Sequence, residues 1–375
     1  MKTLTIEDTL DILYGCTVLG TGGGGNLANG IQKVEKDFKD GKKLKLVKLD
    51  EVPDEGIVAS SYFVGAISPE SKTKKKDLKI VIENEALYSF NVLEEYKKAN
   101  FFGIITTELG GGNTATAIDI AMNRDVPLID ADPAGRSVPG VQHSSFYIEK
   151  VPIAPLSIVN KFGDIILINQ VVDDFRAEEL IRSIAAESGN SVGVTSQAVT
   201  GKILKKATIP ETITLAQKIG HALRNSRNNG ADPVYEMIKA GEGALLFEGI
   251  VTEDTIWNDE NAYTVGEFRI NGTGSQFNGH SFRVWFKNEN IVSWLDDKPY
   301  VTVPDLISVV LRKTGEPISN PYLKGGMEVA VLGFRSPSEW RKEKALEIFT
   351  PRAFGFDIPY VPIEKILSGV WNPKK

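Results

Sequence analysis

The sequence predicts an α/β N-terminal domain with a mainly parallel sheet, followed by a mixed C-terminal region containing a β-rich barrel or sandwich. Three observations predict it. Up to about residue 150, short apolar runs alternate with segments of helical periodicity. Glycine-rich loops sit at three of the junctions between them. From Gly243 onward, short alternating strands are separated by turn residues. The chain has 375 residues, enough for two domains. The expected division is 1–165 for the α/β domain and 166–375 for the rest, β-rich at about 240–335.

In chain order, residues 6–19 carry Ile6, Leu10, Leu13, Tyr14 and Val18 at helical spacing. Glu7 and Asp8 suit the positive end of that helix. Gly20-Thr21-Gly22-Gly23-Gly24-Gly25-Asn26 follows, and Asn26 is placed to cap a helix over 27–38. Residues 44–49 and 57–64 read as strands and 83–99 as a helix. The apolar run 101–106 is a buried strand leading into Glu108-Leu109-Gly110-Gly111-Gly112-Asn113 and a helix over 114–123. Residues 126–129 form a strand that delivers Asp130-Ala131-Asp132-Pro133-Ala134-Gly135-Arg136. Residues 156–159 and 164–168 read as a hairpin. Helices follow over 177–186 and 212–224, then strands over 265–270, 281–286 and 327–332.

A net charge of −6 argues against nucleic acid as a main partner, since a phosphate backbone selects a basic surface. The basic run at 72–76 reads as a solvated loop. The single cysteine, Cys16, excludes an internal disulfide and a Cys-rich zinc site. Neither a secretory signal core nor a membrane-length apolar run is visible, so a cytoplasmic protein acting on a small molecule is expected.

Four consecutive glycines are costly to order. The first loop lacks the Lys and Ser/Thr of a phosphate-binding P-loop. It also follows a helix where a dinucleotide fingerprint follows a strand. A helix–glycine turn–helix unit remains, whose free N–H groups (Gly22, Gly23, Gly24, Gly25, Asn26) suit an anion or carbonyl. Close packing of two helices is the alternative. The second loop lies where ligands bind in open α/β sheets, at the carboxyl end of a strand. There Glu108 is a candidate general base or metal ligand, or a helix-dipole partner. Gly111, Gly112 and Asn113 stand beside it, Asn113 as the expected helix cap. In the third loop Asp130, Asp132 and Arg136 suit either a planar amide-like substrate or divalent ion, or an Asp–Arg pair with Asx turns. His143 lies near this loop and joins Asp130 and Asp132 as a metal candidate. Cys16 reads either as a nucleophile or as an inert buried thiol.

The three loops together resemble the DUF917 family, also described as S-methyl-thiohydantoin desulfurase-like proteins. The resemblance continues at 285–290, 303–307 and 351–356, so it covers nearly the whole chain. It implies hydantoinase/oxoprolinase-type metabolism and, for some members, removal of sulfur from a thiohydantoin. It leads us to expect hydrolysis or desulfurisation of a cyclic amide or thioamide by water that a carboxylate or divalent metal activates. Glu108, Asp130 and Asp132 are the expected catalytic groups. The alternative is a non-catalytic ligand-binding subunit of such a system. A homo-oligomer or a hydantoinase-like partner subunit is the corresponding assembly. In one respect the chain departs from the family pattern, which commonly has an acidic residue after the proline of the third motif. Here Gly140 follows Pro139.

Overall fold

The computed structural model describes residues 1–67 and 78–368 of the chain; the basic run at 72–76 lies outside them. The first sheet contains β1 (Lys2–Leu4), β2 (Leu44–Lys48), β3 (Ile57–Gly65), β4 (Phe101–Ile105), β5 (Leu128–Asp132), β6 (Leu156–Val159), β7 (Ile165–Ile168) and β8 (Ser191–Thr200). A short β9 (Ile209–Pro210) pairs with β5. The spatial order is β1-β2-β5-β4-β3-β8-β6-β7. Only the central β2-β5-β4-β3 neighbours are parallel; every other pairing is antiparallel. The expected mainly parallel sheet is therefore corrected to a mixed one. The tight turn at 160–164 makes β6 and β7 antiparallel, and β8 inserts antiparallel between β3 and β6, a pairing no local signal sets.

Strict alternation along the central strands serves two cores. Leu46, Ala59, Ile104 and Leu128 enter one, and their neighbours Val47, Val58, Ile105 and Ile129 enter the other. With period two, successive side chains point to opposite faces, and helices must cover both. The first core is covered by α1 (Ile6–Leu19), α2 (Leu27–Lys39), α3 (Glu85–Lys97) and α4 (Gly111–Arg124). The second is closed by α5 (Ser145–Ile148) and by α7 (Gly201–Ala207). Between them in sequence, α6 (Asp174–Glu187) packs on the β3–β8–β6 region. Finally α8 (Thr212–Asn229) lies along α1. Thr5 starts α1 with a reciprocal cap: Asp8 N–H donates to Thr5 Oγ1 at 3.0 Å, and Thr5 N–H donates to Asp8 Oδ2 at 3.1 Å. The first sheet thus runs on past the expected boundary at residues 165 and 166, which falls at the start of β7.

The second sheet contains β10 (Ala244–Val251), β11 (Ile256–Glu260), β12 (Tyr263–Gly272), β13 (Ser281–Lys287), β14 (Glu289–Leu295), β15 (Lys298–Thr302), β16 (Leu306–Leu311) and β17 (Glu328–Phe334). It is antiparallel throughout, in the order β15-β14-β13-β12-β10-β17-β16. Among the described residues the ladder path runs from β15 to β16, and of the expected barrel or sandwich no pairing that would close a barrel is seen. Phe268, Ile270, Phe282, Val284 and Phe286 fill its own core. On β16 and β17, Leu306, Val310, Ala330 and Leu332 turn instead to the helical core of the first sheet. The two sheets are therefore packed together through one shared apolar layer.

Two of the glycine loops meet backbone to backbone. Gly24 has φ 75°, and a Cβ there would lie 2.1 Å from Ser137 Oγ and 2.5 Å from Gly110 Cα. Reciprocally, a Cβ on Gly110 would lie 2.4 Å from Gly24 Cα. The contact lets the Gly24 carbonyl accept from Gly112 N–H at 2.9 Å and Asn113 N–H at 3.1 Å. Both are N-terminal donors of α4 that have no partner inside the helix. We expect Gly24→Ala to destabilise the fold by about 3 kcal/mol, combining left-handed backbone strain with overpacking. Urea unfolding of the two proteins measures it. An Ala28→Gly control on the exposed face of α2 should cost about 1 kcal/mol.

Candidate active site

A cavity of about 450 Å³ opens at the carboxyl ends of β3 and β4. Gly24, Gly25, Asn26, Glu108, Gly112 and Asn113 line it, so the first two glycine loops share one pocket. The third loop contributes Val138 and Gly140, and the second sheet contributes Asn288 and Glu289. Gly140, which follows Pro139, presents no side chain to the cavity. No acceptor among the described residues meets the N–H groups of Gly24, Gly25 or Asn26. Asn26 caps α2 as expected, accepting from Asn29 N–H at 3.0 Å. Its Nδ2 also donates to Tyr322 Oη at 2.9 Å, which ties the loop to the C-terminal region.

Glu108 is 6% exposed and lies on the cavity wall. One carboxylate oxygen accepts from Asn113 Nδ2 at 2.7 Å, the other from Val138 N–H at 2.8 Å. Asn113 is therefore not the cap of α4. That helix starts at Gly111, with Gly110 in the cap position, and the Gly24 carbonyl does the capping. Asn113 is instead a strut between Glu108 and β3, its Oδ1 accepting from Phe63 N–H at 3.0 Å. Burial pushes the Glu108 carboxyl up to about 7, and the nearby Asp132 adds to the rise. The Val138 and Asn113 hydrogen bonds and the Arg182 charge pull the other way.

Glu289 went unassigned in the sequence. It opens β14 and is 2% exposed. A Cβ on Gly23 would sit 1.9 Å from Glu289 Oε1, so the bare backbone of the glycine run makes room for this carboxyl. Burial first, and the Glu108 charge second, hold it well above the ordinary carboxylate range; Arg136 and Arg182 oppose them. Arg182, also unassigned, lines the same cavity from α6. It donates to Glu178 at 2.6 Å and to the carbonyls of Gly65, Pro139 and Ala262. The signal for Glu289 was three polar residues, Asn288-Glu289-Asn290, opening an otherwise apolar strand.

Asp130, Asp132, Arg136, Cys16 and His143 are not among the residues that line the cavity. Asp130 accepts from Thr214 N–H at 2.9 Å and Thr214 Oγ1 at 2.5 Å, holding the start of α8. Asp132 makes an Asx turn, accepting from the N–H groups of Ala134 and Gly135 at 2.6 Å each. Arg136 does not pair with either Asp. It is fully enclosed and donates to carbonyls of Ser137, Asn290, Pro304 and Asp305 and to Thr21 Oγ1. It rivets the third loop to the first loop and the second sheet. Cys16 is buried and its thiol is pushed up to about 12 by burial, which leaves almost no thiolate near neutral pH. His143 packs against Phe349 and Phe354, with ring centroids 4.8 and 5.7 Å away. Among the described residues, no three His, Cys, Asp or Glu side chains converge on a common metal position. Asp130, Asp132 and His143 thus do not fit a divalent ion held by protein side chains.

Two family models cover the chain almost end to end. The S-Me-THD-like N-terminal domain matches residues 7–170, and the S-Me-THD-like C-terminal domain matches residues 172–363. The chain belongs to the S-Me-THD-like family. Among solved structures, the X-ray crystal structure of a protein from Chromobacterium violaceum is similar at 20% identity, with a TM-score of 0.78. The match covers 97% of this chain and 100% of that one, and it shows a shared fold. No curated protein matches. No helix among the described residues is long and apolar enough to cross a membrane.

Burial lowers His143 from 6.5 to about 4 in the folded protein. The unfolded chain therefore binds a proton that the folded one refuses. Stability is intact above pH 6.5 and falls as the pH drops from 6.5 to 4. His143→Phe should remove about 2 kcal/mol of that acid loss, read from urea unfolding at pH 7 and pH 4.5. Equal acid losses in both proteins would contradict the assignment.

Proposed function

We propose that the cavity is the active site of an enzyme that adds water to a small cyclic amide or thioamide, with a thiohydantoin-like ring as the preferred substrate. The observation that carries this reading is Glu108: a buried carboxylate on the wall of a 450 Å³ cavity, held by two hydrogen bonds and poised at about 7. A base with that value is half ionised at neutral pH, where proton transfer is most effective. Glu108 would take a proton from water as the oxygen attacks the ring carbon bearing sulfur. The C–S π pair moves to sulfur, close to the unpartnered N–H groups of Gly24 and Gly25, which would stabilise the developing charge. Glu108 then gives its proton to the sulfur, the C–S bond breaks as the hydroxyl oxygen forms the carbonyl, and the hydroxyl proton passes by way of Glu108 to the departing hydrosulfide. The net change is thiocarbonyl plus water to carbonyl plus hydrogen sulfide. Membership of the S-Me-THD-like family supports the ring type.

Purified protein should release sulfide from a thiohydantoin panel, and Glu108→Gln should lower kcat/KM by about 10²–10⁴-fold. Because the base must be ionised, wild-type kcat/KM should rise with pH through about 7. Full activity in Glu108→Gln would remove Glu108 from the mechanism. Tight binding of the ring without turnover would favour a ligand-binding subunit instead.

A further inference from the structure

Glu289 is a second buried carboxyl in the same cavity, and its surroundings differ from those of Glu108. Its Oε2 is buried with no hydrogen-bond partner among the described residues. Glu108 spends both oxygens on donors, Asn113 and Val138. A buried carboxylate oxygen left without a donor disfavours the charged form, whereas a neutral carboxyl carries a proton it can offer to a ligand. Two carboxyls in one cavity also cannot both ionise cheaply, so one keeps its proton. The charged groups facing Glu289 are Glu108 from the loop after β4, Arg136 from the loop after β5, and Arg182 from α6. Both arginines are already committed, Arg136 to carbonyls and the Thr21 hydroxyl, Arg182 to carbonyls and Glu178. Neither makes a hydrogen bond to Glu289 that would fix its carboxylate form. The seat is built for this side chain: the carboxyl presses against bare Gly23, and Asn290 N–H donates to the Thr21 carbonyl at 2.8 Å to clamp the start of β14.

We infer that Glu289 is the general acid of the reaction, paired with Glu108 as base; this rests on the reading of the cavity as a water-adding active site. Glu289 donates its proton to the sulfur as the water oxygen bonds to the ring carbon. Glu108 holds the proton taken from water, giving a neutral intermediate with one O–H and one S–H on the same carbon. When the C–S bond breaks, the intermediate's hydroxyl proton returns to Glu289, and Glu108 passes its own to the leaving hydrosulfide. Both side chains end as they began. Two carboxyls kept in opposite protonation states by their surroundings are the general arrangement for acid and base work at one site.

The test uses Glu289→Gln, which keeps the size of the side chain but cannot transfer a proton. With a thiohydantoin substrate, kcat should fall by about 100-fold with KM unchanged, and the decline of kcat/KM at alkaline pH should disappear. With an S-aryl analogue, whose thiolate leaves without a proton, the deficit should shrink to under about tenfold. An infrared difference spectrum of the ligand-free proteins at pH 7, wild type minus Glu289→Gln, should show the C=O stretch of a protonated carboxyl. Absence of that band overturns the proposal even if the wild type is fully active. An equal rate loss with both leaving groups overturns it too. Failure of the wild type to turn over any member of the panel, with the band present, identifies the active-site reading as the error and takes the proposal with it.

Discussion

The contact between Gly24 and Gly110 is the constraint on which the rest of the site depends. Backbone lies on backbone there with no side chain between, and the Gly24 carbonyl reaches the open N-terminus of α4. That position sets where α4 begins. The start of α4 places Asn113, and Asn113 orients Glu108 against the end of β3. One residue earlier, Gly23 leaves the space that Glu289 fills from the second sheet. The glycine run is thus the joint at which two distant parts of the chain bring their carboxyls into one cavity.

That joint has an electrostatic cost, which two buried arginines reduce. Taking a carboxylate out of water is expensive unless it is paired or hydrogen-bonded. Glu108 meets this with a donor to each oxygen, whereas the Oε2 of Glu289 has no partner among the described residues, so their environments separate the two groups. Arg136 and Arg182 lower the cost for both without ion-pairing to either, because their donors are held by carbonyls, a hydroxyl and Glu178. The site can hold a proton on one carboxyl and withhold it from the other near neutral pH.

Much of the first domain was legible in the sequence, because the signals are local. Thr5 and Asp8 mark the start of α1, Asn26 caps α2, and apolar alternation marks the buried strands. The placement of Glu108 just beyond a strand was legible too. Strand direction was not, since β8 joins the sheet after a helix and pairs antiparallel with two strands far from it in sequence. Of the Asp–Arg pair with Asx turns that was one alternative for the third loop, the Asx turn is present at Asp132, while Arg136 donates to carbonyls in the second sheet region instead of to an Asp. Asn113 looked like a cap because nothing local reveals that another loop's carbonyl does that work. Glu289 stayed hidden for the same reason: its partner, Gly23, lies near the opposite end of the chain.

The measurement that bears most directly on this account is a carbon-13 NMR titration of the Glu108 side-chain carboxyl, assigned by its loss in Glu108→Gln. The account predicts a midpoint near 7, displaced upward by burial in the shared cavity. A midpoint near 4.5, the value of an ordinary exposed glutamate, would contradict it.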